Sequence, residues 1–107
     1  MTLRAPVEFD PERPWRLHPR VALRPEPFGA LAYHYDNRRL NFVRSHDLVA
    51  LLESLGDHPS VVAAVDASVA EARRPAFVKA LASLAAGDFL EPIDRGDAAH
   101  PRPQETT

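Results

Sequence analysis

The residues able to do chemistry are few and scattered. Five histidines stand at His18, His34, His46, His58 and His100. No two sit at i, i+4 on one helix and no H-E-x-x-H run occurs, so no metal-binding spacing is written in the chain. Surface or half-buried imidazoles are the expectation, and a site assembled only in three dimensions is the alternative. Ser45, Ser60, Ser68 and Ser83 lack the G-x-S-x-G elbow of a strained nucleophile, and Ser45 reads as a helix cap. The carboxylates lie beside arginines or at helix starts, and nothing singles out an acid–base pair. The four glycines are far apart, which excludes a phosphate-cradling loop. With no cysteine there is no disulfide, no thiolate zinc site, no iron–sulfur ligation and no cysteine nucleophile. The expectation is a chain that is not an enzyme and holds neither cofactor nor metal.

Binding chemistry is better represented. Arg38, Arg39 and Arg44 flank a strand candidate, and Arg73-Arg74 precede the last apolar helix. These charges are either solvated surface or a basic rim around a groove for an acidic segment. Phe77 is either core or a ligand contact, and Tyr33 and Tyr35 are either packed or half-exposed on a strand.

The elements that must position these residues fit one small domain. The chain has 107 residues, 13 basic and 15 acidic side chains, and a net charge of −2. That balance argues against a partner held by charge alone, such as nucleic acid. Hydrophobic content of 45% suffices for one modest core. No run of about 18 apolar residues is present to span a membrane. Glu8, Asp10, Pro11 and Glu12 interrupt any signal-peptide core, so the cytoplasm is the expected compartment and no membrane partner is expected.

The organisation expected is a flexible segment over 1–14, a folded domain over 15–93 and a disordered tail over 94–107. The tail mixes Gly, Asp, His, Pro and Thr and offers little apolar surface to offset its ordering entropy. Within the domain, 21–24 is a short strand, stopped at Arg24 by Pro25-Glu26-Pro27. Residues 29–35 alternate, with Leu31, Tyr33 and Tyr35 on one face and Ala30, Ala32 and His34 on the other. Asp36-Asn37 reads as a two-residue turn. Residues 38–44 alternate again, with Leu40 and Phe42 against Arg39, Asn41 and Val43. A first helix is capped by Ser45, carries Leu48, Leu51, Leu52 and Leu55 on one stripe, and ends at Gly56 in the left-handed position. Pro59 opens a second helix with Val61, Val62, Val65 and Val69. Pro75 opens a third, with Phe77, Val78, Leu81, Leu84 and Ala85, closed by Gly87. Phe89, Leu90 and Ile93 form an apolar coda that folds back on the core. A small three-stranded antiparallel sheet followed by three helices is an α+β, winged-helix-like arrangement.

Two uses of such parts are open. A winged helix can read duplex DNA, but the third helix offers only Lys79 and Ser83 beyond its apolar residues, against the several cations that phosphates require. The other use is strand addition, in which an extended peptide pairs with an edge strand and sets alternate side chains into an apolar groove beside a helix. A structural subunit without cargo is a third reading.

The stretch Trp15 to Ala30, with Pro25-Glu26-Pro27-Phe28-Gly29-Ala30 as its most specific part, followed by Tyr33-His34-Tyr35, Asn37-Arg38-Arg39-Leu40 and Phe42, resembles the mycofactocin biosynthesis peptide-chaperone family. These are PqqD-like precursor-peptide recognition elements. The resemblance runs from about Trp15 to Leu90. It implies a non-catalytic carrier that binds the leader of a ribosomally made precursor peptide and presents it to a radical S-adenosylmethionine maturase. It further implies leader pairing on the third strand beside the third helix. Carried onto this chain, the pairing residues are Leu40, Asn41, Phe42 and Val43. The groove wall is Phe77, Leu81 and Leu84. The rim charges are Arg39, Arg44, Arg73, Arg74 and Lys79.

Overall fold

A computed structural model gives the fold and describes residues 8–93. Three antiparallel strands form the main sheet: β2 (Val21–Glu26), β3 (Gly29–His34) and β4 (Leu40–Val43), in the order β2-β3-β4. Helices α1 (His46–Ser54), α2 (Val61–Ser68) and α3 (Arg74–Ala86) follow and cover one face. A separate two-stranded ribbon joins β1 (Trp15–Leu17) to β5 (Leu90–Pro92). The α+β arrangement expected from the strand and helix periods is the one observed.

The period-two alternation of β3 is inverted relative to residue size. The small side chains Ala30 and Ala32, together with His34, are buried, while Leu31 and Tyr33 lie on the outer face. Alanine on the inner face lets α1 approach the sheet closely. Gly29 tightens the same contact. Its φ is +146°, and a Cβ there would stand 2.1 Å from the Val43 carbonyl oxygen. The core gathers Trp15, Val21 and Val43 with Leu51, Leu52 and Leu55 from the α1 region, Val61, Ala64 and Val65 from α2, and Leu81 and Leu84 from α3.

Local chemistry sets the helix starts. Ser45 Oγ accepts the Leu48 N–H at 3.1 Å and Ser60 Oγ accepts the Ala63 N–H at 3.0 Å, each satisfying an orphan donor of the first turn. The N-terminus of α2 is further covered by carbonyls of the preceding segment, since Pro11 O accepts from Val62 N and Arg13 O from Val61 N. Of the residues expected to be flexible, 1–7 lie outside the described residues, as does the expected tail over 94–107. Phe9 packs against Trp15 with centroids 5.0 Å apart and planes tilted by 54°, and Trp15 Nε1 donates to Asp10 O.

Three local expectations are corrected. The strand expected to stop at Arg24 runs to Glu26. Tyr35 N donates to Arg20 O, so the even-numbered residues of β2 pair with β3 and Pro25 turns its nitrogen to the open edge, where no donor is needed. The β3–β4 turn is longer than two residues: His34 N donates to Arg39 O, and Arg38, not Asp36 or Asn37, takes the positive φ of 62°. Gly56 lies inside a 3₁₀ turn (Leu55–Asp57) and has no positive φ, because Leu55 must stay in register to bury its side chain. α3 ends at Gly87 as expected, and Asp88 after it takes a positive φ of 70°. The apolar coda does return to the core, but as strand β5 paired with β1.

Candidate functional site

The hydrogen-bond register decides which backbone groups remain open. His34 pairs with Arg39 through the His34 N–H, and Ala32 with Asn41 and Ala30 with Val43 share that register. Asn41 and Val43 therefore spend their main-chain groups on β3. Leu40 and Phe42 turn theirs outward, because antiparallel pairs alternate. The sheet's two edges then differ sharply. On β2 the Val21 N–H is taken by His18 O and Pro25 has none, which leaves Leu23 as the one outward donor of that strand. β4 has no proline and presents both the N–H and C=O of Leu40 and of Phe42.

A groove of about 380 Å³ runs alongside this open edge. Asn41, Val43 and Ser45 line it from β4 and the start of α1, Leu48 comes from α1, and Ala80, Ser83 and Leu84 come from α3. Ala80 and Leu84 are four apart and share one helix face. Their small-and-branched pairing leaves a furrow between α3 and the strand. At one end Arg73 bridges to Asp47 at 3.0 Å and lies over the Phe77 ring at 4.9 Å.

Charge around the edge is positive. Among the described residues Arg38, Arg39 and Arg44 make no ion pair, whereas Arg16, Arg20, Arg24, Arg73 and Arg74 each have an acidic partner. Three uncompensated guanidinium groups thus bracket a four-residue strand in a chain of net charge −2. Such a bracket favours a guest that carries carboxylates.

One titratable cluster could hold a metal by distance. His18, His34 and Asp88 bring ligand atoms within 4.8 Å of one another. The hydrogen bonds speak against it. Nδ1 of His18 accepts the Arg20 N–H at 3.0 Å and Nδ1 of His34 accepts the Asp36 N–H at 3.2 Å. That assigns the ring proton to Nε2 in both, so neither imidazole has a lone pair free for a cation. His34 is fully buried, and its Nε2 lies 3.2 Å from the Asp88 carboxylate at an angle short of a hydrogen bond. The cluster ties the β3–β4 turn to the segment after α3.

An open strand edge, an apolar furrow and a cationic rim are the parts that a peptide site needs. Residues 14–91 match the family model described as the peptide chaperone MftB family. The chain belongs to that family. It is 44% identical over 86 residues to "Peptide chaperone MftB" of Mycobacterium tuberculosis (strain ATCC 25618 / H37Rv), covering 79% of each chain. It is 46% identical over 85 residues to the protein of that name from Mycobacterium ulcerans (strain Agy99), covering 78% of each. With the Mycolicibacterium smegmatis protein (strain ATCC 700084 / mc(2)155) it shares 42% over 87 residues, which is 80% of this chain and 85% of the relative. No solved structure matches the chain. The mycofactocin chaperone resemblance carried by Trp15 to Phe42 thus holds across the domain.

In this MftB-family chain the expected site residues are not all brought together. Asn41, Phe42, Val43, Arg44 and Leu84 border the groove. Leu40 and Arg39 continue the edge at its far end and are exposed. Phe77 and Leu81 belong to the core, Leu81 with no exposed surface, and Arg73 covers the Phe77 ring. Arg74 is spent within the fold, donating to Val69 O and pairing with Asp66. Lys79 is exposed, one turn ahead of Ser83. Sequence reasoning missed Ser45, Leu48, Ala80 and Ser83. Leu48 had been placed on the core stripe of α1, and Ala80 and Ser83 are too small to register in an apolar pattern. No helix is long and apolar enough to cross a membrane among the described residues.

Proposed function

We propose that this chain is a non-catalytic carrier that takes the leader of a ribosomally synthesised precursor peptide as an added strand on β4. It then presents the rest of that peptide to a radical S-adenosylmethionine maturase in mycofactocin biosynthesis. The observation that carries the reading is the unblunted β4 edge, which offers four outward main-chain groups beside an apolar furrow. Membership of a family whose relatives are named peptide chaperones supports it. The redox and cluster chemistry belongs to the partner, in keeping with a chain that has no cysteine.

The energetics suit a carrier. Four backbone hydrogen bonds at about 1 kcal/mol net each and two or three apolar anchors at about 2 kcal/mol each give roughly 8 to 10 kcal/mol gross. Association and ordering of the peptide remove several of these. The remainder, about 4 to 6 kcal/mol, corresponds to a Kd of roughly 1 mM to 50 µM, weak enough to release the guest. The duplex-DNA alternative finds little to work with, because Phe77, Leu81 and Leu84 of α3 are buried and Arg74 is occupied within the fold.

The test is a titration of isotopically labelled protein with the synthetic leader of the cognate precursor. Amide shifts centred on 40–44 and on 80–84 are expected. Shifts confined to α2, or tight duplex binding with no response to leader, would overturn the proposal.

A further inference from the structure

The sheet face away from the helices is apolar too, and of its residues only Phe42 and Arg44 reach the groove. Leu31, Tyr33, Leu40 and Phe42 lie on the side away from the helices, with Leu40 58% and Phe42 51% exposed. A solvated antiparallel face ordinarily alternates to polar residues on its outward positions. Here Phe28, from the β2–β3 turn, stacks on Phe42 with centroids 5.8 Å apart and planes 25° apart. Arg44 lies over both rings, 5.1 Å from the Phe42 centroid and 5.7 Å from that of Phe28.

We propose that a guest strand on β4 is read on both faces of the sheet, so that its core is a run of consecutive apolar residues with carboxylates at its ends. The inference rests on the strand-addition reading above. The register dictates it. Guest residues opposite Asn41 and Val43 turn into the furrow, while those opposite Phe42 and Leu40 fall on the outer face beside exposed apolar side chains. A guest read only by the furrow would alternate apolar and polar. This surface rewards the intervening positions as well, as in strands covered on both sides. The next guest position meets Arg44, and the opposite end meets Arg38 and Arg39, so carboxylates suit both ends in either strand direction. The same charges disfavour a second copy of this chain as occupant, because antiparallel pairing of Leu40 with Phe42 of the other copy would set Arg38 of one copy opposite Arg44 of the other.

The test compares two synthetic nine-residue peptides with the 107-residue chain by calorimetry. One reads Asp-Glu-Val-Phe-Val-Leu-Val-Glu-Asp. The other replaces Phe and Leu by Thr. The first is expected to bind about tenfold more tightly, the sum of two or three cross-strand contacts. In the double variant Leu40→Thr with Phe42→Thr the gap between the two peptides is expected to close to about twofold or less. Arg44→Gln is a second, milder variant, and it should weaken both peptides while narrowing their preference over amide-ended versions. Equal binding of the two peptides to the unaltered chain would overturn the two-face reading and leave strand addition standing. Failure of both to bind would remove both readings. A dimer in sedimentation that binds neither peptide would assign the edge to a second copy instead.

Discussion

Placing a proline at Phe42 separates the two jobs of β4 within one residue. Phe42 turns its N–H away from β3, so Phe42→Pro removes no ladder hydrogen bond. The preceding residue, Asn41, is already extended in the strand, as a residue before proline must be. The aromatic ring is about half exposed, so its loss costs the fold about 1 kcal/mol or less. The guest loses more. One main-chain hydrogen bond is worth about 1 kcal/mol, and a guest carbonyl left facing the proline ring adds about 1 to 3 kcal/mol of unsatisfied desolvation. The expected result is leader binding weakened by about 30- to 1,000-fold. Phe42→Ala keeps the N–H and serves as the control, with a loss of about tenfold or less from the missing ring. Asn41→Pro is the opposite control. It removes a donor to β3 and costs the fold about 3 kcal/mol. Calorimetry with the leader peptide and thermal melts of the three variants provide the readout. If Phe42→Pro binds as well as Phe42→Ala, the guest does not pair with β4. If Asn41→Pro melts no lower than Phe42→Pro, the register described above is wrong.

Three further outcomes follow from the same geometry. Gly29→Ala would drive a methyl into the Val43 carbonyl at a φ that L residues rarely adopt, and should lower stability by about 3 kcal/mol or more in denaturant unfolding. Arg44→Glu should weaken leader binding by about tenfold at low salt, with the difference shrinking at high salt, whereas Arg24→Glu on the other edge should change it little; calorimetry at two ionic strengths checks both. Ser45→Ala and Ser60→Ala each remove an N-cap and should each cost about 1 kcal/mol in thermal or denaturant melts, without altering peptide affinity for Ser60→Ala.

Much of the fold was legible because its periods are strong. The alternation over 29–35 and 38–44 located β3 and β4, and the leucine spacing from Leu48 to Leu55 located α1. What escaped depended on contacts distant in sequence. Trp15–Leu17 and Leu90–Pro92 are three residues each and become strands only by meeting each other. Pro25 looked like a terminator because its missing N–H matters only if that side is paired, and pairing side is a tertiary fact. The groove's strand wall follows the family resemblance, whereas of its helical wall the apolar pattern reaches Leu84 and not Ala80 or Ser83. Leu81 has no exposed surface and lies wholly in the core, leaving Ala80 and Ser83 to border the furrow with Leu84. Periodicity reports which residues avoid water. It does not report which of two apolar surfaces each one touches.

The unequal margins of the sheet carry a consequence for the cell. A β-fold that polymerises into fibres needs two adhesive borders, so that each recruit exposes a fresh template for the next. With Pro25 and the His18 carbonyl silencing all but one donor along β2, growth has a single starting point and no return path. The protein can leave one border bare without becoming a seed for runaway assembly.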